Sequence, residues 1–144
     1  MATINPYVTF SGNCEEAFNF YRTVFGGEFA FLGRFDQMPE DVNHARSEDD
    51  NKNIMHISLP ISKETVLMGS DTGGEWASKN IVGTNVSISI GATSKEEADR
   101  LFKGLSEGGK ITMTLENTFW GDYFGMCTDK FDINWMVNFN PNTQ

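Results

Sequence analysis

Two stretches of this chain repeat each other, and that repeat limits the folds open to it more than any other feature. Glu15-Glu16-Ala17 returns as Glu96-Glu97-Ala98, 81 residues later, and Gly26-Gly27 returns as Gly108-Gly109, 82 residues later. Each copy reads as a helix start, an apolar stripe, a glycine stop and a following strand, with one residue inserted in the second. A series kept in that order points to a duplicated supersecondary unit, because self-similarity at a fixed spacing marks chains built from one repeated element.

In the first copy Ile4, Pro6 or Tyr7, Val8 and Phe10 alternate as a strand does, until Ser11-Gly12-Asn13 interrupts them. Asn13 is expected to cap a helix, with Glu16 as its capping-box partner. Ala17, Phe20, Tyr21 and Val24 form the apolar stripe, and Gly26-Gly27 ends it. Short alternating segments at 28–34, 54–60 and 65–70 then predict three strands. The second copy predicts a strand at 85–90 and a helix opening at Thr93 with Glu96 as capping partner, its stripe being Ala98, Leu101, Phe102 and Leu105. Strands at 110–116, 120–128 and 134–139 complete it. The prediction is an α+β fold, a single domain over 1–144 made of two tandem βαβββ units at about 4–72 and 84–140, with a linker at about 73–83.

Composition excludes several classes. Hydrophobic residues make up 39% and the aromatic residues include 12 Phe, enough bulk to build a core. A formal net charge of −9 repels phosphate backbones and anionic lipid, so nucleic acid is not an expected partner. The acid gathers at Asp36, Glu40, Asp41, Glu48, Asp49 and Asp50, a segment that reads as a solvated loop and lacks the spacing and central glycine of a calcium loop. Cys14 and Cys127 form no CxxC or Cys/His cluster and are expected to be buried free thiols. Neither a leader-like start nor a long apolar run is seen, which predicts a cytoplasmic protein with no membrane partner.

The segments "PYVTFSGNCEEAFNFYRTVFGGEF" and "WGDYFGMCTDKFDINWMVNF" resemble the two ends of PhnB-like proteins, a branch of the glyoxalase, bleomycin-resistance and extradiol dioxygenase (vicinal oxygen chelate) superfamily. "MHISLPISKETVLMGSD" and "EEADRLFKGLSEGGKITMTLENTFWGD" resemble its middle. The resemblance implies a glyoxalase-like curved mixed sheet in which each unit forms half a barrel and the paired halves enclose a cleft for a small ligand. A 3-demethylubiquinone 3-methyltransferase label also attaches to this branch, but the chain has no glycine-rich strand-to-helix turn of the kind that holds S-adenosylmethionine. Metal-dependent relatives place His, Gln or Glu ligands on the first and last strands of each unit. The matching positions here are Pro6, Leu67 or Met68, Val86 or Ser87, and Met136, none a carboxylate or imidazole. Only His44 and His56 exist, and His44 lies in the acidic segment. No metal and no cofactor are expected.

The catalytic residues stay unknown, with His56 the candidate: lying between Met55 and Ile57, it should project opposite both, where a neutral imidazole can donate to a ligand oxygen or act as a base. Against this stands the reading of a hydrogen-bonded core or surface histidine, which comes first until geometry places a substrate beside it. Trp120, Asp122 and Phe124 surround two glycines and offer an aromatic shelf with one acid, or else a plain hairpin bend. Tyr7 and Trp135 have polar tips suited to a cavity edge but are commonly core residues. Glu116 needs burial to serve as a base, and Met68, Met113, Met126 and Met136 are expected to fill the barrel interior. The expected binding set is Tyr7, His56, Trp120, Asp122 and Phe124. The leading functional expectation is a metal-independent homodimer that receives a small organic molecule in the cleft. The alternatives are a lyase, isomerase or dioxygenase using an unusual metal or His56, and a structural or regulatory dimer without ligand.

Overall fold

The computed structural model describes residues 2–37, 48–73 and 79–142. They fall into two compact units, Met1–Ile81 and Val82–Gln144. The first contains β1 (Tyr7–Phe10), α1 (Cys14–Phe25), β2 (Phe31–Arg34), a 3-10 turn at Phe35–Gln37, a short helix α2 (Glu48–Lys52), β3 (Ile54–Pro60) and β4 (Val66–Asp71). The second contains β5 (Ile88–Gly91), α3 (Lys95–Ser106), β6 (Lys110–Asn117), β7 (Tyr123–Thr128) and β8 (Asn134–Phe139). The sheet orders are β1-β4-β3-β2 and β5-β8-β7-β6. In both, the first strand joins the last in parallel and all other neighbours are antiparallel. The fold is α+β, two four-stranded mixed sheets each with a long helix, and the duplicated βαβββ order holds.

α1 buries Cys14, Ala17, Phe18, Tyr21 and Val24 against β3 and β4. The stripe therefore runs through Phe18, at i+4 from Cys14, and leaves the expected Phe20 only partly covered. Ala98, Leu101, Phe102 and Leu105 of α3 are all buried. Both thiols are buried and free; burial pushes the Cys127 thiol up to about 11, and the nearby Asp129 adds to it. Burial first, then the charges of Asp71 and Glu15, raise Cys14 still further.

The helix caps differ from expectation. Asn13 makes no side-chain cap bond. Instead Asp71, 4% exposed at the end of β4, accepts from Gly12 N (3.0 Å) and Cys14 N (2.9 Å) through Oδ1, and from Ile54 N (2.8 Å) through Oδ2. At α3 the cap sits one residue later than Thr93 and Glu96: Ser94 Oγ accepts from Glu97 N (3.0 Å), and Glu97 Oε1 accepts from Thr93 N (3.0 Å).

Other boundaries shift for local reasons. β1 omits Ile4, which is exposed, and begins after Pro6, which has no N–H to give a ladder; the Pro6 carbonyl accepts from Met68 N (3.1 Å). β2 and β5 begin three residues later than expected, at Phe31 and Ile88. β7 begins at Tyr123 because Trp120 to Asp122 belong to a turn in which Thr118 N donates to the Asp122 carbonyl (2.8 Å). The acidic segment is not wholly loop, since Glu48, Asp49 and Asp50 lie in α2; Glu40, Asp41 and His44 lie outside the described residues. Gly109 is required by close approach: a Cβ there would stand 2.2 Å from the Thr128 carbonyl oxygen.

Candidate functional site

Residues paired across a sheet point to the same face, and alternate residues point to opposite ones. In unit 1 Leu67 and Gly69 turn toward α1, which puts Met68 on the open face with its partners Tyr7 and Ser58, and Ser58 is in turn paired with Phe31. His56, two residues before Ser58 and paired with Gly33, joins them. The Tyr7 hydroxyl lies 3.3 Å from His56 Nδ1. The Tyr7 and His56 rings stack at 5.7 Å and 30°, and the Phe31 ring lies 5.8 Å from His56 on another side. Tyr7 and Phe31 are 48% and 47% exposed, so this aromatic group stays open rather than closing into core.

A bulge shapes the group. The β2–β3 register slips between Gly33 and Arg34, leaving Met55 without a partner opposite it. Gly33 permits the result, because a Cβ there would meet the Phe31 ring at 2.8 Å and the Met55 methyl at 3.2 Å. Met55 is thus on the same side as Phe31 and His56, not opposite as strict alternation predicts, while Ile57 is buried on the α1 side as expected. Arg34 leaves the open face for α1, where Nη2 donates to Glu15 Oε2 at 2.6 Å and Nη1 to Oε1 at 3.0 Å. Those hydrogen bonds hold the Glu15 carboxyl below its usual range.

In unit 2, Gly125, Cys127, Trp135 and Val137 face α3, so Phe124, Met126, Met136 and Asn138 occupy the open face. Met113, Met126, Met136 and Ser89 form one cross-strand row. The four methionines expected in the barrel interior lie away from the helix-packed core: Met113 is exposed and Met68, Met126 and Met136 are half-buried on open faces. A cavity of about 570 Å³ opens at one end of this unit, lined by Ser87, Lys110, Thr112, Met126, Thr128 and Asn134 among others. Trp135 also lines it, whereas Trp120, Asp122 and Phe124 do not. Trp120, 52% exposed, packs 6.3 Å from Phe124 and 4.9 Å from Phe119, which is 98% exposed at the hairpin tip. The Asp122 carboxylate accepts from Asn140 Nδ2 (2.6 Å), which ties the turn to the residue after β8.

Of the expected binding set, then, Tyr7 meets His56 in unit 1, while Trp120 meets Phe124 in unit 2. The Asp122 carboxylate is engaged by Asn140. Glu116 is exposed and so lacks the burial expected of it, and Trp135 is core, donating from Nε1 to Asp129 Oδ2 (2.8 Å). Phe31, Gly33 and Met55 were missed. The available signal was Gly33 inside a strand, since an interior strand glycine marks close approach or a bulge.

The positions matching the metal ligands of relatives carry a proline ahead of β1, a thioether at Met68 on the open face, Ser87 at the cavity and a thioether at Met136. Zinc, manganese and iron sites of that kind need imidazole and carboxylate donors, so this donor set does not fit. Among the described residues no group of three or more His, Cys, Asp or Glu is placed to hold a metal ion.

Two strand-helix-hairpin units of this topology define the glyoxalase fold, and comparison with known proteins agrees. A glyoxalase/bleomycin resistance protein/dioxygenase family enzyme from Burkholderia phytofirmans superposes with a TM-score of 0.60 over 94% of this chain and 95% of its own, at 12% identity. The family model described as 3-demethylubiquinone-9 3-methyltransferase matches residues 2–138, and the chain belongs to that family, the PhnB-like branch of the superfamily. Protein PA1353 from Pseudomonas aeruginosa is similar at 38% identity, with a TM-score of 0.80 over 97% of this chain and 98% of that one. A putative 3-demethylubiquinone-9 3-methyltransferase, PhnB protein, from Bacillus cereus has a TM-score of 0.73 at 23% identity, covering 96% of this chain and 99% of its own. The turns that open α1 and α3 are Ser11-Gly12-Asn13 and Ala92-Thr93-Ser94. Neither is the glycine-rich turn that cradles a nucleotide-like cofactor, and Gly12 N is already bound to Asp71.

Proposed function

We propose that this protein binds a small organic molecule without a metal or other cofactor, and that the open face of unit 1 is its ligand wall. The observation that carries the reading is the Tyr7, His56 and Phe31 group: the half-exposed Tyr7 and Phe31 rings each lie against His56, which is hydrogen-bonded to Tyr7. Ligand walls are mostly apolar with a few placed polar groups, and exposed rings give flat area at low entropic cost. Trp120 and Phe124 offer a second aromatic surface in unit 2. The match from residue 2 to 138 runs through both units, which supports a single domain made of about 4–72 and 84–140.

Titration of the full chain with a panel of flat aromatic compounds tests this by amide NMR. Shifts should gather at Gly33, His56 and neighbouring β2 and β3 amides, and Phe31→Ala should weaken the best compound about tenfold, an effect in keeping with loss of ring contact. Shifts confined to other surfaces would overturn the assignment. Elemental analysis should find far less than one metal ion per chain. Among the described residues no helix is long and apolar enough to cross a membrane, in keeping with a cytoplasmic protein. A homodimer is part of the same proposal: β6 is exposed along nearly its whole length, including Ile111 and Met113, and such an edge invites a covering partner. Light scattering at micromolar concentration should give twice the chain mass.

The contact between Tyr7 and His56 also favours one second reading, a His56-assisted lyase or isomerase. Turnover that survives His56→Gln in a folded variant would exclude it.

A further inference from the structure

We infer that Tyr7 fixes His56 with its proton on Nε2, and that the unit 1 wall therefore selects flat aromatic molecules bearing a carbonyl oxygen. This rests on the reading of that face as a ligand wall. The Tyr7 hydroxyl and His56 Nδ1 are 3.3 Å apart, so one of them donates to the other. A neutral imidazole has one donor and one acceptor nitrogen, and the partner of the first decides the role of the second. A phenol is the stronger donor of this pair and a poor acceptor, because its oxygen lone pair is delocalised into the ring. The hydroxyl therefore donates, Nδ1 accepts, and the proton resides on Nε2.

Nε2 is at the tip of the imidazole, away from its attachment to the backbone, and no other described residue bonds it. The ring is flanked by Tyr7 and Phe31. Its neighbours on this face, Ser58 and Met68, are uncharged. Arg34 is the sole Lys or Arg in β1 to β4, and Glu15 and the Lys52 carbonyl occupy it on the other side. One neutral donor between two rings, with no cation beside it among the described residues of unit 1, complements an aryl carbonyl better than an aryl carboxylate. Tyr7 is a positioning residue here: it acts through His56 as well as by its own ring.

Two measurements on the full chain test this. Ring-nitrogen NMR, with His56→Gln to assign the signal apart from His44, should show the Nε2–H form, and Tyr7→Phe should shift it toward a mixture of both forms. A dominant Nδ1–H form in the wild type would overturn the positioning role. Acetophenone and ethylbenzene then serve as probes of like shape with and without the acceptor. Acetophenone should bind about fivefold tighter, the effect of one net hydrogen bond, and the ratio should fall to about one in His56→Phe. Equal binding of both probes at the wild-type face would overturn the carbonyl assignment alone, whereas binding of neither there would overturn it together with the ligand-wall reading.

Discussion

α1 and α3 share the triplet Glu-Glu-Ala, yet their first turns are held by unlike means. At α3 every cap bond comes from within a few residues, Ser94 serving Glu97 and Glu97 serving Thr93. At α1 the acceptor is Asp71, 57 positions beyond Cys14, and the same carboxylate holds Ile54 at the start of β3. A local cap contributes to one helix; the Asp71 carboxylate joins a helix, a strand start and a strand end at one buried point. The repeat in sequence thus conserves the helix while the two units assign its anchoring to different parts of the chain.

The sharpest way to break this comparison is Asp71→Ala, which strips an acceptor from three backbone donors at a buried site. We expect a loss of about 3–5 kcal/mol in denaturant unfolding, since each unsatisfied buried donor costs about 1–3 kcal/mol and part of that is recovered by relaxation. A loss no larger than that of an ordinary cap would show that water replaces the carboxylate easily. Asp129→Asn examines the nearest counterpart in unit 2. Asp129 accepts from Phe131 N (2.8 Å) and Ile133 N (3.1 Å) on one oxygen and from Trp135 Nε1 (2.8 Å) on the other. An amide keeps only one side of that arrangement, so a loss of about 2–3 kcal/mol is expected, with a change in Trp fluorescence; an unchanged spectrum would show Trp135 undisturbed.

Ser94→Ala removes the local cap and should cost about 1 kcal/mol, well below Asp71→Ala; equal losses would erase the distinction between the two helices. The smallest effect is expected on the outside of unit 2. Tyr123 donates to Asp99 Oδ1 at 2.5 Å, and that bond, aided by burial and the carboxylate charge, raises the phenol to about 12. Stability from this bond is present below the ordinary phenol range near ~10 and is lost as pH climbs through the raised value. Asp99→Asn should return the phenol toward that ordinary range in an ultraviolet titration, with little change in midpoint at neutral pH; a phenol that stays high would assign the shift elsewhere.

What the sequence made legible follows the same division. The α3 stripe and the limits of β3 and β8 were read directly, because helix periodicity, strand alternation and turn residues are all carried by neighbours. Asn13 was expected to cap α1 because the rule for caps looks only a few residues along the chain, and Asp71 lies beyond its reach. The same limit explains the site. Tyr7 and His56 were each picked out for their chemistry, but their meeting depends on the β1–β4 and β3–β4 registers. Phe31 escaped notice because its place beside His56 depends on the β2–β3 register and on the room that Gly33 leaves for its ring. Trp120 and Asp122 were legible as a glycine-containing group, but not as a turn whose carboxylate is already engaged.

The pairing of first strand with last also bears on how the chain acquires its structure during synthesis. Tyr7 must find Met68, 61 positions on, whereas β2, β3 and β4 are neighbours by successive antiparallel pairs. Ile88 waits in the same way for Trp135, 47 positions on. Closing those loops carries an entropic cost that nearby pairs do not bear, so the three-strand meander of each unit is the natural nucleus and β1 or β5 the last to dock. In unit 1 the docking of β1 coincides with the engagement of Asp71 by Gly12 and Cys14. A nascent chain therefore keeps α1 without its anchor until residue 71 has emerged, and from then on unit 1 has every pairing partner it needs while unit 2 is still being made.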